Sequence, residues 1–319
     1  MKKNLASLQL ETSSFATLAL YLCVAFFYGC GGSNSNGSGE EPVLPENVNA
    51  NANSGSIKYA QRLEMPKLST SNSDAKFITY TTTYQGKEVV TFSLELDTKK
   101  RHANWVAFTF DPTTRTDNNV GRTDKYIPDP NINAAWQSDN TCFGTGGQND
   151  GVDRGHICAS EDRQYSKEAN AQTFYFTNMS PQYSNFNQKI WAALEGVVQR
   201  WGRSLTNSSD TLFVVKGGTI NSGNTLNDPE IKIVTPKYYY MAVLLKSGKG
   251  TNPTYRSIAI LLEHKKTAYP EPYDLKSFAT TVDEIEELTG LDLFCNLPDK
   301  TENAVEKQCN TSEWNWNYK

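Results

Sequence analysis

The first half of the chain contains stretches in which apolar and polar residues alternate. Residues 77–84 alternate large apolar side chains with Thr, and residues 89–96 repeat the alternation after the turn-forming sequence Gln85-Gly86-Lys87. Two alternating runs joined by a short, Gly-containing turn predict a β-hairpin. Residues 104–110, which are rich in aromatic and aliphatic side chains, predict a third strand.

Longer apolar runs in the second half of the chain predict buried strands. Residues 212–218, 238–245 and 257–262 are dominated by aliphatic and aromatic residues, which is typical of strands that are covered on both faces. A shorter aromatic run at 173–177 predicts a further strand, and the residues between it and Asn187 are mostly polar.

Two segments have the spacing of amphipathic helices. Between residues 188 and 201 apolar side chains recur every three or four positions, and residues 282–290 form a short amphipathic segment that ends on Gly290. A glycine at that position is typical of a helix C-cap. Helices set among strands indicate a single α/β or α+β domain around one central sheet. Residues 111–153 read as one long loop, and loops of that length are usually functional.

The N-terminal residues have the pattern of an export signal. Lys2 and Lys3 precede an apolar run at 15–28, which is short for a membrane span. Small residues flank Cys30 at the end of the run, as in bacterial lipoprotein signals, and plain secretion is the alternative. We therefore predict a signal peptide at 1–30, a flexible linker at 31–56 and a folded domain at 57–319. The protein would be held at the bacterial cell envelope or surface through a lipid on Cys30.

Four cysteines follow the export segment, and they are Cys142, Cys158, Cys295 and Cys309. In an oxidising compartment they predict disulfides, of which sequence alone cannot choose the connectivity. Cys295 and Cys309 bracket a short polar stretch and are the natural pair, which leaves Cys142 and Cys158 for each other. A zinc site is less favoured because there is no Cys-x-x-Cys pair.

Of the three histidines, His156 has the most suggestive neighbours. His102 and His264 stand among charged residues and are predicted at the surface. His156 closes the sequence Asp153-Arg154-Gly155-His156. Imidazole can take a proton from water, guanidinium can hold a phosphate oxygen, and glycine lets a phosphate approach the backbone. The net charge of −4 counts against a broad basic surface, so if nucleic acid is the substrate, its attraction must be local.

Further motifs follow His156 in order. They are Thr177-Asn178-Met179-Ser180-Pro181-Gln182, Phe186-Asn187-Gln188, Trp191 and Leu194-Glu195. Together with the Asp-Arg-Gly-His sequence, they make the region from about Tyr80 to Pro298 resemble the DNA/RNA non-specific endonuclease family. The resemblance implies an α+β fold, a single ββα-metal (His-Me finger) nuclease domain around a central, mostly antiparallel sheet.

The resemblance also implies a base and a metal ion. His156 would be the general base that activates water. Asn187 would be the single protein ligand of Mg²⁺, with Mn²⁺ as a candidate substitute, and Glu195 would hold a metal-bound water. An amide oxygen agrees with the preference of Mg²⁺ for oxygen ligands and retained waters.

The remaining site residues would bind or position the substrate. Arg154 would contact phosphate, and Arg122 occupies the place of a second phosphate-binding arginine, although Arg115 is near. Asn178 would orient the site or touch substrate. Taken singly, Asn178 and Asn187 are also typical of turns and helix caps. Cys158, where many family members have a Pro-containing stretch, could be a disulfide partner or, less favoured, a thiol nucleophile.

The implied activity is hydrolysis of DNA and RNA with little sequence preference. One alternative is a non-catalytic surface lipoprotein that binds nucleic acid or glycan on the same scaffold, and another is a toxin-like effector. The candidate partners are DNA and RNA as substrates, a membrane through Cys30, and a second copy of the chain in a homodimer.

Overall fold

The computed structural model describes residues 47–52, 57–144, 151–250 and 252–318. They all belong to the compact unit Pro45–Lys319. The predicted export segment, with Cys30, and residues 31–46 of the predicted linker lie outside the described residues. None of the helices in the described ranges combines the length and the apolar composition that crossing a membrane requires.

A seven-stranded sheet forms the centre of the domain, in the order β1-β2-β3-β6-β9-β10-β11. Each neighbouring pair is antiparallel. The six strands predicted within residues 77–110 and 212–262 and the hairpin turn between the first two are present, and a short seventh strand that was not predicted extends the sheet. The strands are β1 (Ala75–Tyr84), β2 (Lys87–Asp97), β3 (His102–Phe110), β6 (Thr211–Gly218), β9 (Tyr238–Ser247), β10 (Thr254–Glu263) and β11 (Ala279–Thr280).

Two small antiparallel sheets accompany the large one. In the first, β4 (Val152–His156) pairs with β5 (Met179–Tyr183). In the second, β7 (Thr225–Leu226) pairs with β8 (Thr235–Pro236). The pairing of β4 with β5 matters for the site, because β4 contains the Asp-Arg-Gly-His sequence.

The described ranges also contain four α-helices, which are α1 (Lys167–Gln172), α2 (Ala192–Arg203), α3 (Val282–Thr289) and α4 (Asp299–Val305). The first turns of the helix predicted at 188–201 are π-helical, over Phe186–Trp191, and lead directly into α2. The predicted helix at 282–290 is confirmed. Thr281 and Glu284 cap its start, and Gly290 ends it with φ of 74°.

The central sheet separates two apolar cores. Along β3, Val106 and Phe108 belong to the core that contains Leu194 of α2, whereas Trp105 belongs to the core that contains Ile285 of α3. Neighbouring residues of a strand point to opposite faces, so α2 and α3 pack on opposite sides of the sheet. The α2 side is the one that holds the β4–β5 hairpin, because Val152 and Met179 lie in the same core as Leu194.

The strand predicted at 173–177 is wrong. Phe174 ends a turn, residues 176–178 form a 3₁₀ turn, and Tyr175 makes only an isolated parallel bridge to Ile127. The aromatic run is instead buried as separate packing residues, because apolar content alone does not distinguish a strand from a buried turn.

The prediction that His102 and His264 lie at the surface is also wrong, because each side chain is 1% exposed. His102 uses Nδ1 and Nε2 to contact the Ala103 carbonyl (2.7 Å) and the Ser180 hydroxyl (2.6 Å). His264 contacts the Pro236 carbonyl through Nδ1 (2.9 Å) and accepts the Tyr183 N–H at Nε2 (2.8 Å). Charged neighbours along the chain did not reveal burial, because the two histidines are bound by partners distant in the sequence, Ser180 for His102 and Tyr183 for His264.

The predicted disulfides are absent, since all four cysteines are free thiols in the structure. Cys295 is buried and its thiol donates to the Met65 carbonyl (3.6 Å), whereas Cys309 is exposed. Spacing in the chain made them the natural pair, but α4 lies between them and the two thiols end in different environments.

Residues 47–52, which the sequence places in the linker, are attached to the domain. The Asn51 side chain is 4% exposed, and its amide nitrogen donates to the Ala60 and Pro66 carbonyls at 3.1 and 3.0 Å. Asn49 donates to the Glu302 carboxylate at 2.9 Å. Hydrogen bonds from asparagine side chains thus hold this segment on the domain, although its sequence has no alternation of apolar residues.

Candidate active site

The β4–β5 hairpin places the Asp-Arg-Gly-His sequence at the edge of a cleft. In its register Gly155 faces Ser180 and His156 faces Met179. A Cβ atom on Gly155 would lie 2.2 Å from Oε1 of the Gln182 side chain. The glycine is therefore needed for packing between the strands, a role that the sequence did not suggest.

His156 enters the cleft between two aromatic rings. Its ring centroid lies 4.7 Å from that of Phe174 and 5.7 Å from that of Tyr126. Its Nε2 atom is buried and has no hydrogen-bond partner among the described residues. By contrast, both ring nitrogens of His102 and of His264 are engaged. A buried polar atom without a partner is uncommon and points to a ligand or an ordered water.

The surroundings of His156 keep its imidazole neutral. Burial, together with the positive charge of Arg122, lowers the pKa of His156 to about 3. A neutral imidazole has a free lone pair at neutral pH, which is the form that a general base requires.

Asn187 lies in the π-helical segment before α2 and is oriented by Asp153. Its amide nitrogen donates to Asp153 Oδ2 at 2.8 Å, and the Gln188 amide donates to the same oxygen at 2.9 Å. The other Asp153 oxygen accepts the Ser184 hydroxyl at 2.9 Å. Because its nitrogen is committed, the Asn187 amide oxygen remains available to a cation. π-Helical turns recur at functional sites, where they re-aim side chains.

Glu195, in the first turn of α2, is part of a buried ionic group. Lys216 Nζ lies 3.1 Å from Glu195 Oε1 and 2.8 Å from Asp162 Oδ2. The side chains of Lys216 and Asp162 are almost completely buried, and that of Glu195 is 14% exposed at the cleft. Burial raises the pKa of Glu195 against the opposing effect of Lys216. For Asp162, burial raises the pKa, but Lys216, Arg163 and the hydrogen bond from Gln199 together lower it below its ordinary value.

Two arginines present their guanidinium groups to the cleft. Arg154 stacks over the Tyr126 ring at 4.1 Å and donates to Asn140 Oδ1 at 2.8 Å. Arg122 donates to the Ser160 hydroxyl at 2.7 Å and pairs with Asp124 at 3.1 Å. Neither guanidinium is paired with a buried carboxylate among the described residues. Both can therefore bind an anion that enters the cleft.

The cleft has a volume of about 700 Å³ and brings together five of the six predicted site residues. They are Arg122, Arg154, His156, Asn187 and Glu195.

Asn178 does not line the cleft. It is completely buried and holds the chain behind the hairpin, by accepting the Cys158 N–H (2.9 Å) and donating to the Cys158 and Thr173 carbonyls (2.9 and 2.7 Å). The structure thus supports an orienting role for Asn178 and not contact with substrate.

Sequence reasoning missed three residues that shape the site: Asp153, Asp162 and Lys216. Asp153 was inside the quoted motif but received no role. Lys216 gave a signal, since it is the only charged residue in the apolar run 212–218. A lysine in a buried strand requires a nearby carboxylate. No such signal marked Asp162.

The oxygen donors in the cleft fit a hard divalent cation. Mg²⁺ keeps several waters and needs only one or two protein oxygens, which the Asn187 amide and the Glu195 carboxylate could supply. Cys158, the alternative nucleophile, is disfavoured, because burial raises the pKa of its thiol well above the ordinary value.

Comparison with known proteins gives a consistent result. The family described as DNA/RNA non-specific endonuclease matches residues 73–300. A nuclease of Nostoc sp. is 30% identical over 223 residues, which cover 68% of this chain and 76% of that protein. Bovine mitochondrial endonuclease G is 25% identical over 217 residues, which cover 65% and 68%. A mitochondrial nuclease of Schizosaccharomyces pombe is 28% identical, but the match spans only 55% of its length.

A solved structure shares the fold. The crystal structure of the EndoG/EndoGI complex contains a chain that aligns with a TM-score of 0.55 at 19% identity, over 70% of this chain and 89% of that one. The predicted fold class, a ββα-metal domain around a central antiparallel sheet, is confirmed. Because the family match covers most of the folded region, the chain belongs to the DNA/RNA non-specific endonuclease family.

Proposed function

We propose that this chain is an exported, Mg²⁺-dependent endonuclease that hydrolyses phosphodiester bonds of DNA and RNA with little sequence specificity. The observation that supports it best is His156. Its buried Nε2 has no hydrogen-bond partner among the described residues, and it shares a cleft with two arginines, an available amide oxygen and a carboxylate.

His156 would act as the general base. Its neutral imidazole takes a proton from the attacking water, and the rings of Tyr126 and Phe174 fix its orientation. Arg154 and Arg122 contact the phosphate oxygens and stabilise the charge that develops there. Asn187 would hold the Mg²⁺ and Glu195 one of its waters, and the bound ion supplies further charge stabilisation at the phosphate and the leaving oxygen.

The low sequence preference follows from the kind of contact. Guanidinium groups that bind phosphate position any nucleic acid without reading its bases. The overall charge of −4 leaves this local pair of arginines as the main source of attraction, so affinity should fall with salt.

The test is cleavage of plasmid DNA and total RNA by purified protein, with Mg²⁺ and with chelator. We expect both substrates to be degraded only with metal, and His156→Ala to lose at least about 100-fold in rate. Arg122→Ala and Arg115→Ala form a matched pair, because Arg122 lines the cleft and Arg115 does not. Only the first substitution should slow cleavage. Circular dichroism and melting temperature would show that each variant is folded.

Intact substrates after incubation of the wild type with Mg²⁺, Mn²⁺ and other divalent ions would overturn the proposal. If the same protein still bound nucleic acid or glycan, the non-catalytic scaffold would be the better interpretation.

Anchoring is proposed from Lys2, Lys3 and Cys30, all of which lie outside the described residues. Expression in a bacterial host with labelled palmitate should label the wild type and not Cys30→Ser. Label in neither protein would leave plain secretion, which recovery of the protein from the medium would show.

A further inference from the structure

A second group of carboxylates lies away from the catalytic cleft. Asp283 and Glu286 belong to α3, and Glu306 follows α4. One oxygen of each residue lies within 4.8 Å of the others. None of the three lines the cleft that contains His156. The group therefore needs an explanation that the proposed nuclease reaction does not provide.

Glu306 is the central observation. Its side chain is 7% exposed, and its buried Oε1 has no hydrogen-bond partner among the described residues. Its position is fixed by its backbone carbonyl, which accepts the N–H groups of Val282 (2.9 Å) and Asp283 (3.2 Å) at the start of α3. A buried carboxylate oxygen without a donor is costly, so its location beside two other carboxylates indicates a missing positive partner.

No protein cation provides that partner in the described part of the chain. Neither Asp283, Glu286 nor Glu306 forms an ion pair with a Lys, Arg or His there. Glu286 receives one backbone N–H, from Leu293 at 2.6 Å. Three carboxylates this close together therefore lack a compensating positive charge among the described residues.

We propose that Asp283, Glu286 and Glu306 form a Ca²⁺ site that fastens the start of α3 to the segment after α4. The donor set favours calcium. Ca²⁺ takes about six to eight oxygen ligands at about 2.3–2.6 Å, whereas Mg²⁺, at about 2.0–2.1 Å, demands near-octahedral geometry. Ca²⁺ also accepts several carboxylates in irregular geometry, and Mg²⁺ prefers to keep its waters.

The experiment is thermal unfolding of the full chain after removal of metal, with no addition, with 1 mM Ca²⁺ or with 1 mM Mg²⁺. All samples carry Asn187→Ala, so that binding at the catalytic centre does not contribute. We expect Ca²⁺ to raise the melting temperature by about 5 °C, because a ligand of the folded state alone stabilises it. Glu306→Gln and Glu286→Gln should abolish the shift. Glu287→Gln, which changes an exposed carboxylate of the same helix outside the group, should keep it.

Several outcomes would overturn the Ca²⁺ site. They are the absence of a shift with Ca²⁺, an equal shift with Mg²⁺, and an unchanged shift in Glu306→Gln. Calorimetric titration with Ca²⁺ gives a second readout that does not depend on unfolding. Glu306→Gln in the otherwise unchanged chain should cleave plasmid at 25 °C at the wild-type rate with Mg²⁺, so failure of this site and failure of the nuclease proposal are separable.

Discussion

Replacement of Lys216 by Met should strongly destabilise the domain. Lys216 is completely buried and lies between Asp162 (2.8 Å) and Glu195 (3.1 Å). Removing one partner of a buried ionic group leaves charge without compensation and costs about 3–5 kcal/mol. Asp162 would retain hydrogen bonds from the Gln199 amide (3.0 Å) and the Ala159 N–H (2.8 Å). These neutral donors compensate the charge of Asp162 only in part.

The measurement is urea unfolding followed by fluorescence, with free energies extrapolated to zero urea. For a domain of this size the expected loss corresponds to a melting temperature lower by about 6–20 °C. Lys246→Met is the matched control, since Lys246 lies on neighbouring β9 and is partly exposed. It should change the free energy of unfolding by less than about 0.5 kcal/mol.

A triple variant separates lost charge compensation from lost packing. Lys216→Met combined with Asp162→Asn and Glu195→Gln removes all three charges, and neutral replacement of a whole buried ionic group is often tolerated. It should recover most of the stability lost in the single variant. A Lys216→Met protein within about 1 kcal/mol of wild type would refute the reasoning, as would a triple variant no more stable than the single one.

Three further substitutions test the hairpin, the orientation of Asn187 and a buried histidine. Gly155→Ala should lower the free energy of unfolding by about 1–3 kcal/mol, because the added Cβ would lie 2.2 Å from the Gln182 side chain. Gly196→Ala in α2, where the nearest atom to an added Cβ is 3.7 Å away, should raise it by about 0.5–1 kcal/mol. Urea unfolding measures both, and equal effects would contradict the packing argument. Asp153→Asn should slow metal-dependent cleavage about 10–100-fold by releasing the Asn187 amide with little change in melting temperature; an unchanged rate would exclude that role. Burial lowers the pKa of His264 to about 4, below its value of about 6.5 in the unfolded chain. As the pH falls from 6.5 to 4, only the unfolded chain takes up the proton, so the free energy of unfolding should drop by up to about 3 kcal/mol. His264→Gln should flatten that part of the pH profile of unfolding.

Local patterns in the sequence were sufficient for most of the large sheet. Alternation at 77–84 and 89–96 and the apolar runs at 212–218, 238–245 and 257–262 correspond to β1, β2, β6, β9 and β10. The helix at 282–290 was likewise marked by spacing and by its C-terminal glycine. These features depend on backbone propensity and on which face is apolar, and both are properties of residues close together in the chain.

The pairing of β4 with β5 could not be predicted in this way. Neither Val152–His156 nor Met179–Tyr183 shows a clear alternation, and all of Met179–Tyr183 is buried although it contains Ser, Pro and Gln. The polar side chains are accommodated because tertiary partners bind them, as His102 binds the Ser180 hydroxyl. The same long-range partners explain why a histidine among charged neighbours is buried.

The sequence by itself determined where six of the seven strands of the large sheet lie in the chain, and it named five residues that share the cleft. The tertiary structure alone decided how they are held. Lys216 and Asp162 are 54 positions apart, and Asn187 and Asp153 are 34 apart, so no local pattern records that they touch. The free energy of such contacts depends on exclusion of water by the surrounding core, which exists only after the chain has folded.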